Sequence, residues 1–159
     1  MWGHHAFAGC VESIVASTPA ADFVNHGDGT VTHVKTGLMW KRCSEGLRGI
    51  ACTIGTATQY TWQDALKAVK DLNTSGGFAG FKDWRVPTIK ELHSIVEKQC
   101  VTPSVNADIF PHTISGWYWS SSPYAGFTSV SWGGYFSVGA SGAGFNGTNG
   151  YVRLVRGGQ

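Results

Sequence analysis

The sequence predicts an α+β domain: an N-terminal β-hairpin, two helices, then a compact, mostly antiparallel sheet with long irregular loops. Three observations carry this expectation. A β-rich pair of segments surrounds a glycine turn at 30–41, two capped amphipathic patterns lie between 61 and 96, and aromatic, glycine-rich segments with strand character run from 117 onward. The 159 residues suit one domain, and 42% hydrophobic content is enough to bury a core, while 22 glycines favour turns over long helices.

In chain order, residues 1–22 read as an N-terminal arm and 23–159 as the folded domain. His4 and His5 have no third ligand nearby and read as a surface feature. Asn25 to Gly29 forms a turn, where Asp28 is a lone carboxylate and not a calcium site. Thr30 to Val34 and Leu38 to Lys41 make the hairpin across Lys35-Thr36-Gly37. Thr61 caps the first helix, with Asp64 reaching back, and Trp62, Ala65, Leu66, Val69 and Leu72 make its apolar face. Val86 precedes Pro87 and is expected extended. Thr88 and Glu91 then form a capping box; Leu92, Ile95 and Val96 face the core, with His93 on the flank.

The character then changes, for no Asp, Glu, Lys or Arg lies between Asp108 and Arg153. Trp117 to Ser122 reads as a strand, and Val130 to Val138 as a further pair or a hairpin around Gly133-Gly134. Tyr151 to Val155 reads as the last strand, with Val152 and Leu154 alternating against an outward Arg153.

A net charge of +2 with 14% charged residues excludes a nucleic-acid footprint and an acidic tail. No apolar run is long enough to span a membrane. The first basic residue is Lys35, so the basic start of a signal peptide is missing. Cys10, Cys43, Cys52 and Cys100 contain no C-x-x-C pair and allow three pairings. Cys43 with Cys52 closes a short loop; Cys10 with Cys100 would then tether the arm to a helix end. Two disulfides imply an extracytoplasmic location, secreted or at the cell surface. Two alternatives stand: four buried thiols in a cytosolic protein, or Cys10 as a lipid anchor following Phe7-Ala8-Gly9.

The residues 142–147, GAGFNG, match a dinucleotide fingerprint in letters only, since no helix follows and the chain leaves no room for the distal acid. G-x-S-x-G, S-x-x-K and H-E-x-x-H are absent, and Asp108 with His112 makes no dyad; Asp108 reads instead as capping a turn before Pro111. Asn73 and Asn146 head glycosylation sequons. The expectation is a protein that is not an enzyme, with no catalytic residue, metal or cofactor. What remains is an uncharged surface with Phe127, Trp132, Tyr135, Phe136, Phe145 and Tyr151, of paratope-like composition. The plain alternative is an ordinary glycine-rich loop.

Several strings carry a resemblance. GDGTVTHVKTGLMWKRC, YTWQDALKAVKDLNTSGGFAGFKDWRVPTIKELHSIVE, YWSSSPYAG and YVRLVRGGQ resemble the bacterial family typified by the C-terminal domain of the Legionella collagen-like adhesin (Lcl), over about Cys10 to Gln159. The resemblance implies a variant of the C-type lectin fold. WRVPTIKEL is similar to a helix start of the formylglycine-generating enzymes, whose catalytic cysteines have no counterpart here. Many members of this family are variable proteins of diversity-generating retroelements, in which adenine-directed errors scatter AAC-type codons over a C-terminal binding face. Every residue from Ala125 to Gly150 except Trp132 is reachable from such codons, and Trp132 matches a tryptophan fixed in relatives.

The resemblance therefore implies a variable region at about 117–151. The contact residues expected there are Gly126, Phe127, Thr128, Ser129, Val130, Ser131, Gly133, Tyr135, Ser137, Ala140, Gly142, Ala143, Phe145, Gly147, Thr148 and Asn149. Trp84, Trp117, Trp119, Trp132, Phe136, Val152 and Leu154 would form the scaffold beneath. The partner would be a protein or glycan ligand on a target surface, and the resemblance associates such domains with trimers, a homo-oligomer. The rival expectation is a fixed-specificity adhesin for sulfated polysaccharide, using Lys82, Arg85, Lys90, Arg153 and Arg156.

Overall fold

A computed structural model describes residues 9–158. His4 and His5 lie outside the described residues. In chain order the elements are β1 (Gly9–Cys10), β2 (Phe23–Asn25), β3 (Thr30–His33), β4 (Leu38–Lys41), β5 (Leu47–Arg48) and β6 (Ile54–Gly55). Helices α1 (Trp62–Thr74) and α2 (Ile89–Ser94) follow, then β7 (Cys100–Val101), β8 (Trp117–Pro123), β9 (Val130–Tyr135), β10 (Ala140–Phe145) and β11 (Val155–Arg156). The class is α+β with mostly antiparallel sheets.

The hairpin β3–β4 has β2 on one side and β11 on the other, a four-stranded sheet in the order β11-β4-β3-β2. The C-terminal segment thus closes back onto the first hairpin, Val155 opposite Trp40. A second sheet has the order β10-β9-β8, and the small pairs β1–β7 and β5–β6 complete the set. A parallel bridge between Tyr118 and Tyr151 and an antiparallel one between Arg85 and Val155 stitch the C-terminal segment to β8 and to the approach to α2.

Local chemistry explains the helices. The Thr61 hydroxyl accepts the Asp64 amide, and Thr88 with Glu91 makes a full capping box. On α1, Ala65 and Val69 are buried while Leu66 is 37% exposed, so the apolar stripe is narrower than the sequence implies. On α2 and just after it, Leu92 and Ile95 are buried and Val96 packs against the same core, with His93 exposed.

One core gathers Val31, Trp40, Leu92, Ile95, Phe110, Tyr118 and Phe136 between the two main sheets and α2. A second joins Ala65, Val69, Trp84, Val86, Trp119, Val152 and Leu154 beneath α1.

Both disulfides form, Cys10–Cys100 and Cys43–Cys52, replacing the four-thiol alternative. Cys10 is therefore not free to carry a lipid. The arm is also held by Glu97, whose carboxylate accepts the amides and hydroxyls of Ser17 and Thr18 at 2.7–3.1 Å. Burial pushes this carboxyl up, but the Thr18 hydroxyl and the amides of Gln99, Ser17 and Thr18 outweigh it and hold Glu97 at about 2.

Three expectations are corrected. Gly133-Gly134 is not a turn: Val130–Tyr135 runs straight through it, and the reversal to β10 comes after Tyr135, where Gly139 donates its amide to the Tyr135 carbonyl. Arg153 does not point outward but is fully buried, and regular pairing resumes only at Val155. The turn before Pro111 is capped by the Asn106 side chain, which accepts the Asp108 amide, and not by Asp108. Among the described residues no helix is long and apolar enough to cross a membrane.

Candidate ligand-binding surface

The surface is built on β8, β9 and β10, whose residues pair Trp117 with Tyr135, Trp119 with Gly133, and Ala140 to Phe145 with Tyr135 to Val130. Directly opposed residues share a face. Trp117, Trp119, Ser131, Gly133, Tyr135, Ala140, Gly142 and Gly144 therefore lie on one side. Tyr118, Val130, Trp132, Gly134, Ser141, Ala143 and Phe145 lie on the other.

The first side is a seat for one indole. A Cβ added at Gly133 would collide with the Trp117 ring, one at Gly144 would come within 3.0 Å of it and one at Gly150 within 2.5 Å. Trp117 stacks obliquely on Tyr135 at 4.7 Å between ring centroids and edge-on to Trp119 at 5.3 Å. Glycine in this stretch is thus a steric requirement of tertiary packing. Trp119 donates its ring N–H to the Tyr60 carbonyl, fixing the sheet to the start of α1.

The second side is shared. Near the Tyr135 end it packs under α2, with Gly134 beneath Leu92. At the other end Tyr124 stacks on Trp132 at 5.1 Å and near Phe127 at 6.1 Å. There Phe127 and Phe145 are 62% and 69% exposed.

The expected contacts separate accordingly. Gly126, Phe127, Thr128, Ser129, Ala143, Phe145, Gly147, Thr148 and Asn149 are exposed at one end of the sheet, with Val130 and Gly142 partly so. Tyr135, Ser137 and Ala140 lie around the opposite turn. Ser131 and Gly133 are buried, the first fully closed off and the second beneath Trp117, so neither reaches a ligand with its side chain. Of the expected scaffold, Trp84, Trp119, Phe136, Val152 and Leu154 are buried, whereas Trp117 and Trp132 keep partial exposure.

The exposed end is fastened from below. Asn146, itself buried, donates its amide to Ser129 and its side-chain amide to the Thr128 carbonyl, and its own carbonyl accepts the Trp62 amide. This closes the Asn146 sequon, and Asn73 is likewise engaged with both the Trp84 amide and carbonyl. Sequence reading names Asn146 only as a sequon and does not single out Tyr124; a polar residue among small ones, and a tyrosine just after a strand, give no local signal of these contacts.

Beneath the sheet lies Arg153. Its guanidinium donates to the carbonyl of Arg42 and the hydroxyls of Ser44 and Thr113, and stacks at 4.7 Å on Phe110. Among the described residues no carboxylate forms a salt bridge with it; burial pushes its pKa down. Of the other basic residues proposed for polysaccharide, Arg85 is bidentate to Glu91 and Arg156 to Asp83. Among the described residues, Lys82 and Lys90 are the members of that set that are exposed without an ion pair. Among the described residues no group of three or more His, Cys, Asp and Glu is arranged to hold a metal.

Fold and surface together define an α+β domain, in which a sheet braced by two cores carries an uncharged, partly aromatic end. The family model for the Lcl C-terminal domain matches residues 29–156, and the chain belongs to that family. No curated protein matches it.

Proposed function

We propose that this chain is a non-enzymatic, C-type-lectin-like ligand-binding domain of the cell surface or of a secreted protein. Its ligand, a protein or glycan, meets Phe127, Thr128, Ser129, Phe145, Thr148 and Asn149, and the side chains there are diversified by a retroelement. One observation carries the reading: Phe127 and Phe145 are 62% and 69% exposed, yet the backbones that bear them are pinned by Asn146. Large apolar groups held rigidly in water supply contact area at low entropic cost. Membership of the Lcl C-terminal family supports an adhesin-like binding role. The two disulfides support an oxidising compartment, and their formation leaves no free cysteine for thiol chemistry.

The test is the gene's own neighbourhood. A reverse transcriptase and a near-copy of the segment coding residues 117–157 are expected, differing at adenines. The differing codons should include those of exposed contacts and spare Trp117, Gly133 and Gly150. Absence of both elements would refute diversification.

Family membership also keeps a second reading, a fixed adhesin for sulfated polysaccharide. The pairing or burial of Arg85, Arg153 and Arg156 argues against it. Heparin chromatography at low salt separates the two: the diversified reading expects flow-through, and salt-eluted retention would favour the fixed adhesin.

A further inference from the structure

Strand β10 is the open edge of its sheet. Its phase follows from the bond just past its end, where Asn146 donates its amide to the Ser129 carbonyl. Alternation then turns the amides and carbonyls of Ala140, Gly142 and Gly144 toward β9, and those of Ser141, Ala143 and Phe145 away from it. The bonds made by Val130 and Trp132 agree, since their carbonyls accept from Tyr124 and Ser120 on the β8 side. Thr148 takes the Phe145 carbonyl. Among the described residues, the outward amides of Ser141, Ala143 and Phe145 and the carbonyls of Ser141 and Ala143 have no hydrogen-bond partner.

Native edges of this kind are usually blunted by lysine, proline, a bulge or a cover. Here the six residues Ala-Ser-Gly-Ala-Gly-Phe contain no charge and no proline, and pair with β9 in unbroken register. Ser141, Ala143 and Phe145 are exposed. We infer that β10 takes up an extended, uncharged peptide segment of a partner protein as a fourth strand of the sheet.

This rests on the binding-surface reading and names its partner class. The unmet amides and carbonyls ask for a β-strand, which satisfies them at alternate positions. On one face the incoming side chains would lie beside Gly142 and Gly144, where only hydrogen separates them from the Trp117 and Tyr135 rings. On the other they would lie beside Ala143 and Phe145. Charge selects the peptide: no Asp, Glu, Lys or Arg lies between Asp108 and Arg153, so a charged partner side chain would lose hydration without gaining a counter-ion from the strands of this sheet. Main-chain recognition also tolerates changing side chains on β10, which retune sequence preference while the ladder stays in place.

The experiment uses the full chain and a displayed library of random seven-residue peptides lacking Asp, Glu, Lys and Arg. Amide exchange is read by NMR. In the free chain Ser141, Ala143 and Phe145 should exchange fast and Gly142 and Gly144 slowly. A selected peptide should slow the first three at least about tenfold. Methylating the amide nitrogens of one alternate set in that peptide should abolish binding, with no change to the protein. Ala143→Pro should weaken binding at least about tenfold while breaking no bond to β9. Failure to select any peptide overturns the inference. So do binders indifferent to A143P that protect residues 126–129 and 147–149; the surface reading then stands and strand addition falls. Slow exchange of the same three amides in a free chain that runs as a dimer also overturns it, placing a second copy on the edge.

Discussion

The indole of Trp117 occupies the space that a side chain at Gly133 would need, and Gly133 sits opposite Trp119 in the middle of β9. A Cβ there would also approach the Tyr118 carbonyl to 2.5 Å, and backbone does not yield easily. Gly142, directly opposite Gly133 in the facing strand β10, would meet only ordinary contacts at 3.6 and 3.8 Å. Gly133→Ala should therefore destabilise by about 1–3 kcal/mol, and Gly142→Ala by under about 0.5 kcal/mol. Urea unfolding of both variants measures the difference, and equal midpoints would sink the idea of an indole seat.

Arg153 should be intolerant even of lysine. Lysine keeps the charge but cannot span the Arg42 carbonyl and the Ser44 and Thr113 hydroxyls together, nor stack on Phe110 as a plane. Arg153→Lys is expected to cost on the order of 2–4 kcal/mol. A loss under about 1 kcal/mol by chemical denaturation would show that the guanidinium geometry is dispensable.

Acid should loosen the arm first. Glu97 is held at about 2, below its ordinary value of 4.5, so its folded pKa is depressed. The stability it contributes is fully present above the ordinary value and drains away as pH falls toward 2. Glu97→Gln should flatten that part of the stability-versus-pH curve and expose the Ser17 and Thr18 amides to exchange at neutral pH. An unchanged acid limb in the variant would assign acid loss to other carboxylates.

The two disulfides should differ in weight. Cys10–Cys100 spans 90 residues and Cys43–Cys52 spans 9. On the chain-entropy account the long loop contributes about 4–5 kcal/mol and the short one about 2–3 kcal/mol. Paired serine replacements followed by thermal unfolding would check the order. A larger loss from the short loop would point to native packing around Cys43 and Cys52 as the dominant effect.

What the sequence made legible was mostly local. The Thr88–Glu91 box, the Thr61 cap and the 30–41 hairpin depend on neighbours within a few residues, and each forms as expected. The misreadings share a cause. Gly133-Gly134 looks like a turn because glycine usually signals backbone freedom, whereas here it answers to a ring sixteen residues earlier in the chain. Arg153 looks outward by alternation, yet Phe110 and the loop after β4 close over it. In the candidate surface, Ser131 and Ser129 are alike in composition but differ in exposure. Register against β8 and β10 decides between them, and no window of residues contains that information.

The Cys10–Cys100 bond also has a mechanical meaning. Tension applied to the chain at residue 10 passes through sulfur directly to residue 100, and the four-residue clasp of Glu97, Gln99, Ser17 and Thr18 shares the strain. The residues between the two cysteines, with the hairpin and both helices, lie off that covalent route. A pull between the arm and a ligand held at Phe127 and Phe145 would thus travel through Cys100 into β8–β10, so peeling the hairpin from the N-terminal end is not an available first step of failure.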